Sequence, residues 1–64
     1  MIVNGKRIEI SIETSLKDFL LSSGYDPSRV AVELNGKISP RKTFEEVILK
    51  NTDSMEIVSF VGGG

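Results

Sequence analysis

The residues best placed to do chemistry lie at the end of the chain. Gly62, Gly63 and Gly64 follow directly on a strand-like run, Met55-Glu56-Ile57-Val58-Ser59-Phe60-Val61. Glycine has no Cβ, and ordering it costs more entropy than ordering any other residue, so three in a row add no stability. The plain reading is a frayed terminus, since chain ends are commonly unordered. The chemical reading is a slim peptide carboxylate on Gly64, held out from a folded domain to enter a narrow channel in a partner. On this reading Gly64 is the group that is modified, and Gly62 and Gly63 are the part of the tail that occupies the channel.

The residue types that are absent narrow the chemistry further. Without Cys there is no disulfide, no thiolate nucleophile and no sulfur ligand for a metal. Without His, the usual proton shuttle near neutral pH and the commonest metal ligand are missing. No GxxxxGK stretch is present to cradle a nucleotide phosphate. The carboxylates are scattered and none pair at a general acid and base spacing. These absences argue against a self-sufficient enzyme: no catalytic side chain, no metal site and no bound cofactor is assigned.

Composition agrees with a small partner-dependent domain. The 64 residues allow one domain with one small core. Hydrophobic content of 39% and charged content of 27% argue against disorder. Eight basic and nine acidic residues leave a net charge of −1. The one local basic cluster is Arg41-Lys42 after Pro40, with Lys37 nearby, and no basic stripe interleaved with aromatics suggests nucleic acid. No apolar run approaches the roughly 18 residues of a membrane span. Met1-Ile2-Val3-Asn4-Gly5 has neither the charged nor the apolar region of a secretory signal, so a cytoplasmic location is expected.

The elements that must position the tail can be taken in order. Ile2-Val3, Asn4-Gly5 and the alternating run from Lys6 to Ile12 predict a hairpin with a type I′ turn, burying Ile8, Ile10 and Ile12 on one face. Thr14 or Ser15 caps a helix of about two and a half turns. Its apolar stripe is Leu16, Phe19 and Leu20, with Leu21 at a core margin and Gly24 at the left-handed terminating position. Asp26-Pro27 begins a turn, and Val30-Ala31-Val32-Glu33-Leu34 is a strand. Asn35-Gly36 turns it back into a short strand at Lys37-Ile38, which Pro40 ends. Phe44, Val47 and Ile48 at i, i+3 and i+4 favour a helical turn that plugs the edge of the core.

That order, β-β-α-β-β-β, predicts a two-layer α+β domain over residues 1–61, with residues 62–64 as a flexible glycine tail. One helix covers one face of a mixed five-stranded sheet, in which one strand is very short. The first and last strands lie side by side in parallel, so the strand that carries the tail is central. If Met55 and Ile57 face the helix, Val58 and Phe60 lie on the open face, where with Val61 they form a candidate docking patch beside the tail. The alternative for Phe60 is ordinary packing over the sheet edge.

These residues resemble the ubiquitin-like β-grasp fold and, more narrowly, the ThiS family of sulfur carriers. The resemblance rests on Arg29-Val30-Ala31-Val32-Glu33-Leu34-Asn35-Gly36, on Pro40-Arg41 followed by an aromatic at Phe44, and on the closing run Glu56 to Gly64. Phe44 stands where the family more often has Trp, and Ser39 where an apolar residue is usual. The resemblance implies that a ThiF-like adenylyltransferase uses ATP to convert the Gly64 carboxylate to an acyl adenylate. A sulfur donor fed by a cysteine desulfurase then leaves a thiocarboxylate, which supplies the thiazole synthase ThiG in thiamine biosynthesis. The related molybdopterin-synthase type of carrier and a ubiquitin-like protein modifier are the alternatives, since all begin with the same adenylate.

Overall fold

Two Asn-Gly pairs set the sheet. In the computed structural model, which describes residues 1–60, Asn4 and Gly5 have φ of 51° and 83°, and Asn35 and Gly36 have 52° and 83°. These are the paired positive angles of type I′ turns, whose twist matches that of the strands they join. The first joins β1 (Ile2–Val3) to β2 (Lys6–Arg7) and the second joins β4 (Val30–Leu34) to β5 (Lys37–Ile38). The last strand, β7 (Ser54–Ser59), runs parallel to β1 and antiparallel to β4. The order across the five-stranded sheet is β2-β1-β7-β4-β5, so β7 is central, as expected.

Alternation along β4 and β7 builds the core. Val30, Val32, Met55 and Ile57 are buried, while Glu33, Glu56 and Val58 are exposed. The buried side receives α1 (Leu16–Ser22), which contributes Leu16, Phe19 and Leu20, and the core is closed by Met1, Val3, Phe44 and Leu49. Ser15 is the N-cap, its hydroxyl accepting from the Asp18 amide at 3.1 Å. At the other end Tyr25 N–H donates to Leu20 C=O and Gly24 N–H to Leu21 C=O, with Gly24 at φ 88°. This is a Schellman stop, which needs a residue free to adopt the left-handed region. The expected α+β sheet on a single α-helix is therefore present, although the helix has seven residues rather than about nine.

Three local expectations are corrected. First, the ladder after Asn4-Gly5 ends at Arg7 with a last rung from Ile8 N–H to Met1 C=O. β1 is too short to pair further, so the chain leaves the sheet, Ile8 and Ile10 are half-buried, and Ile12 is 76% exposed. Second, Leu21 points to solvent rather than to a core margin. Third, the helical turn expected around Val47 and Ile48 is replaced by β6 (Ile48–Leu49), paired antiparallel with β3 (Thr14–Ser15). Pairing imposes a period of two, so Leu49 is buried and Ile48 exposed. The segment before it also serves the helix: Val47 C=O accepts from Leu16 N–H and Phe44 C=O from Lys17 N–H, satisfying donors that α1 leaves free.

Side-chain amides complete the edges. Asn4 accepts from Ile57 N–H at 2.7 Å and donates to Ile57 C=O at 3.2 Å, extending the two-residue β1 along β7. Asn51 does the same for Ile10, with both bonds at 2.9 Å. Among the described residues, no helix is long and apolar enough to cross a membrane.

Candidate functional site

The last described strand, β7, lies in the middle of the sheet. β7 is held on both sides, by β1 and β4, and the ladder is prolonged where Phe60 N–H donates to Arg29 C=O at 2.8 Å. β1 reaches Ser54 and Met55 and the Asn4 side chain reaches Ile57, so from Val58 to Phe60 the backbone is bonded on the β4 side. Gly62, Gly63, Gly64 and Val61, the candidate reacting group, channel segment and third docking residue, lie outside the described residues.

The face of the sheet opposite α1 carries the other two candidates. Val58 is 58% exposed, and Phe60, at the same phase of the alternation, is 52% exposed. Phe60 is therefore not buried over the sheet edge. The register adds neighbours that alternation alone could not assign. Ala31 stands opposite Val58, and two rungs on, on the same face, Glu33 stands opposite Glu56 and, on its other side, Ile38. Ala31, Glu33, Ile38, Glu56 and Val58 line a shallow groove of about 110 Å³. Ile38, 68% exposed, lies beside Glu33, and the Asn35–Ser54 pair borders the carboxylates on the side away from Ala31 and Val58. The period of two in Val30-Ala31-Val32-Glu33-Leu34 already places Ala31 and Glu33 together. Which rung of β7 they meet is a long-range fact that no local pattern contains.

The basic cluster has a structural share of its own. Arg41 Nε donates to Pro27 C=O at 3.0 Å and Nη2 to Val30 C=O at 3.4 Å, tying the turn Arg41–Thr43 to the turn Pro27–Arg29. Lys17 pairs with Glu45 at 2.7 Å, which raises the Lys17 ammonium above its ordinary pKa and lowers the Glu45 carboxyl. Asp26 is also lowered, chiefly by the Ser28 hydroxyl and then the Ser28 amide, bonded to it at 2.7 and 2.9 Å. None of these groups converges on the open face. Among the described residues no cluster of His, Cys, Asp or Glu is arranged to hold a metal.

A mixed sheet in the order β2-β1-β7-β4-β5, packed on one helix with its last strand central, defines a ubiquitin-like β-grasp protein. The comparisons narrow this class. The model of the ThiS family matches residues 1–64. The sulfur carrier protein ThiS of Bacillus subtilis (strain 168) is 38% identical over 63 residues, covering 97% of this chain and 96% of the relative. The crystal structure of the thiamine biosynthesis protein ThiS from Geobacter metallireducens superposes with a TM-score of 0.80 at 30% identity, covering 98% of this chain and 96% of that one. The chain belongs to the ThiS family. A thiazole synthase of Magnetococcus marinus is 37% identical over 62 residues, which are 97% of this chain but 19% of that protein. The chain thus spans about a fifth of the length of the thiazole synthases it matches.

Proposed function

We propose that the protein is a sulfur carrier for thiazole formation in thiamine biosynthesis, and that the α-carboxylate of Gly64 is the group that carries the sulfur. The observation that carries this reading is the family match over residues 1–64, which includes the three glycines. The fold supports it: β7 is paired with β1 at Ser54 and Met55 and with β4 from Met55 to Ser59, and Phe60 N–H continues the β4 side of the ladder. The thiazole synthases that contain a similar stretch support the assignment of the sulfur acceptor.

The chemistry follows from the carboxylate. Its oxygen attacks the α-phosphorus of ATP held by a ThiF-like adenylyltransferase, pyrophosphate leaves, and an acyl adenylate forms. A persulfide, formed through a cysteine desulfurase, then attacks the carbonyl carbon and AMP leaves; a thiol attacks the outer sulfur of the resulting acyl disulfide, which releases the thiocarboxylate and forms a disulfide. Splitting one difficult substitution into two with good leaving groups is the logic of covalent activation. Glycine at the reacting position leaves both attacks unhindered, and Gly62 and Gly63 make the approach slim. The carrier contributes no catalytic side chain and binds no cofactor; ATP belongs to the partner. Val58, Phe60 and Val61 are assigned to docking.

The test is a chain lengthened by one bulky residue after Gly64. Loss of ATP-dependent adenylation with an unchanged Tm supports the assignment. Full adenylation of the lengthened chain contradicts it.

A further inference from the structure

Pro40-Arg41 takes no part in the chemistry of the carboxylate, yet it lies on the strand edge that leads to it. β4 pairs with β5 at Glu33 and Leu34, and Ser39 N–H then reaches Val32 C=O at 2.9 Å. Pro40 follows and has no N–H with which to continue that ladder. The next carbonyl along the same edge, Val30 C=O, is met by a side chain instead. Arg41 Nη2 donates to it at 3.4 Å, while Arg41 Nε donates to Pro27 C=O at 3.0 Å. One guanidinium therefore holds both flanks of Ser28-Arg29. Arg29 is the residue whose C=O accepts from Phe60 N–H at 2.8 Å and so closes the β4–β7 ladder. On the opposite side of β7 the last contact among the described residues is the Asn4 amide on Ile57. Val58, Ser59 and Phe60 thus depend on the segment from Arg29 to Ala31, whose outer edge Arg41 secures.

We propose that Arg41 is a positioning residue for the carrier reaction: by bracing Pro27 to Val30 it fixes the strand partner of Val58–Phe60, the base from which the chain continues to Gly64. The proposal rests on the carrier reading given above. Nε–H and Nη2–H lie side by side in one rigid plane, so a guanidinium can hold two carbonyls at a set spacing. An ammonium is a point charge on a flexible stem and cannot do the same. The positive charge alone is therefore not what the site uses. With two of its three nitrogens committed to backbone carbonyls, Arg41 is also not a free surface cation like a solvated lysine. Bracing acts before any partner arrives, since a strand end already ordered costs less to order on binding. Because the Arg41 side chain is at the surface, water can replace its bonds when it is removed, and the loss is local rather than global.

The experiment uses the full chain and the adenylyltransferase of the same organism. Amide exchange at Phe60 and Val32 and the Tm are measured in the free chain, and KM and kcat in ATP-dependent adenylation. The chains are the wild type, Arg41→Lys, Arg41→Ala and, as a control for charge, Lys42→Ala. Both Arg41 variants are expected to exchange Phe60 N–H about fivefold faster, with Val32 exchange and Tm nearly unchanged. Their KM should rise by a similar factor while kcat holds, the mark of a lost ordering advantage in binding. Lys42→Ala should match the wild type throughout. In an adenylated chain, Phe60 exchange that ignores both Arg41 variants overturns this inference alone. So does an Arg41→Lys chain with wild-type exchange and KM, because charge then suffices. Faster Phe60 exchange with unchanged KM overturns the positioning role, and parallel losses at Val32 and in Tm reduce Arg41 to general support of the fold and overturn it as well. A wild type that is never adenylated overturns the carrier reading, and this inference with it, whatever the exchange rates are.

Discussion

The two faces of β7 do opposite work with the same backbone. Toward α1, Met55 and Ile57 are 1% and 6% exposed and sit among the apolar side chains of the core. Away from it, Glu56, Val58 and Phe60 stand in solvent beside Ala31, Glu33 and Ile38. The first face is optimised for stability, and a 64-residue chain has little to spare. The second keeps Val58, Phe60 and Ile38 exposed, which forgoes burial that would stabilise the fold. A domain this small tolerates that cost where the surface has a use other than folding.

The sharpest way to break the contrast is to truncate one residue from each face. Met55→Ala should lower unfolding free energy by about 2–5 kcal/mol in equilibrium urea denaturation, because it leaves a cavity in a core with no slack. Val58→Ala should stay within about 0.5 kcal/mol in the same assay. If both variants lose stability alike, the open face is part of the packing and the division is wrong.

An intermediate effect probes how the central strand is held. Asn4→Ala removes both bonds to the Ile57 backbone at a partly buried site. It should cost about 1–3 kcal/mol, the usual penalty for unpaired polar groups. Amide exchange at Ile57 should accelerate relative to Val32, which reports the loss at the β1 side of β7.

The smallest effect is electrostatic and lies away from both faces. Asp26 and Glu45 have folded-state pKa values below their ordinary ones. The stability each contributes is therefore complete above the unfolded-state value and lost as pH falls through the lower folded one. Thermal stability should be flat from neutrality to about pH 5 and decline slightly below about pH 4. Asp26→Asn with Glu45→Gln should flatten that acid limb by lowering the neutral plateau slightly, leaving stability in acid nearly unchanged.

What the sequence makes legible follows a physical divide. Asn4-Gly5 and Asn35-Gly36 announce their turns because a type I′ geometry demands those residues locally. Leu16, Phe19, Leu20 and Gly24 announce the helix and its stop for the same reason. The parallel β1–β7 neighbours follow from sheltering a two-residue strand. The failures are all tertiary. Ile12 alternates like a buried strand residue but has no partner strand to hold it. Phe44, Val47 and Ile48 have helical spacing, yet their segment is captured by the free donors of α1 and by Thr14–Ser15. The Glu33–Glu56 rung depends on a register set by residues more than 20 positions apart. Val58 and Phe60 are legible as an exposed pair; the acid pair between their neighbours is not.

On the proposed function the sulfur rides on the carboxylate of Gly64 and on no side chain. Intact-protein mass spectrometry of the chain from its native cell, with fragmentation across residues 61–64, tests it most directly. The expected species is heavier by one oxygen-to-sulfur exchange, with the extra mass confined to Gly64 and lost on incubation with thiazole synthase and its substrates. A native chain that ends in an unmodified carboxylate under conditions of active thiamine synthesis, or that carries the sulfur elsewhere, contradicts it.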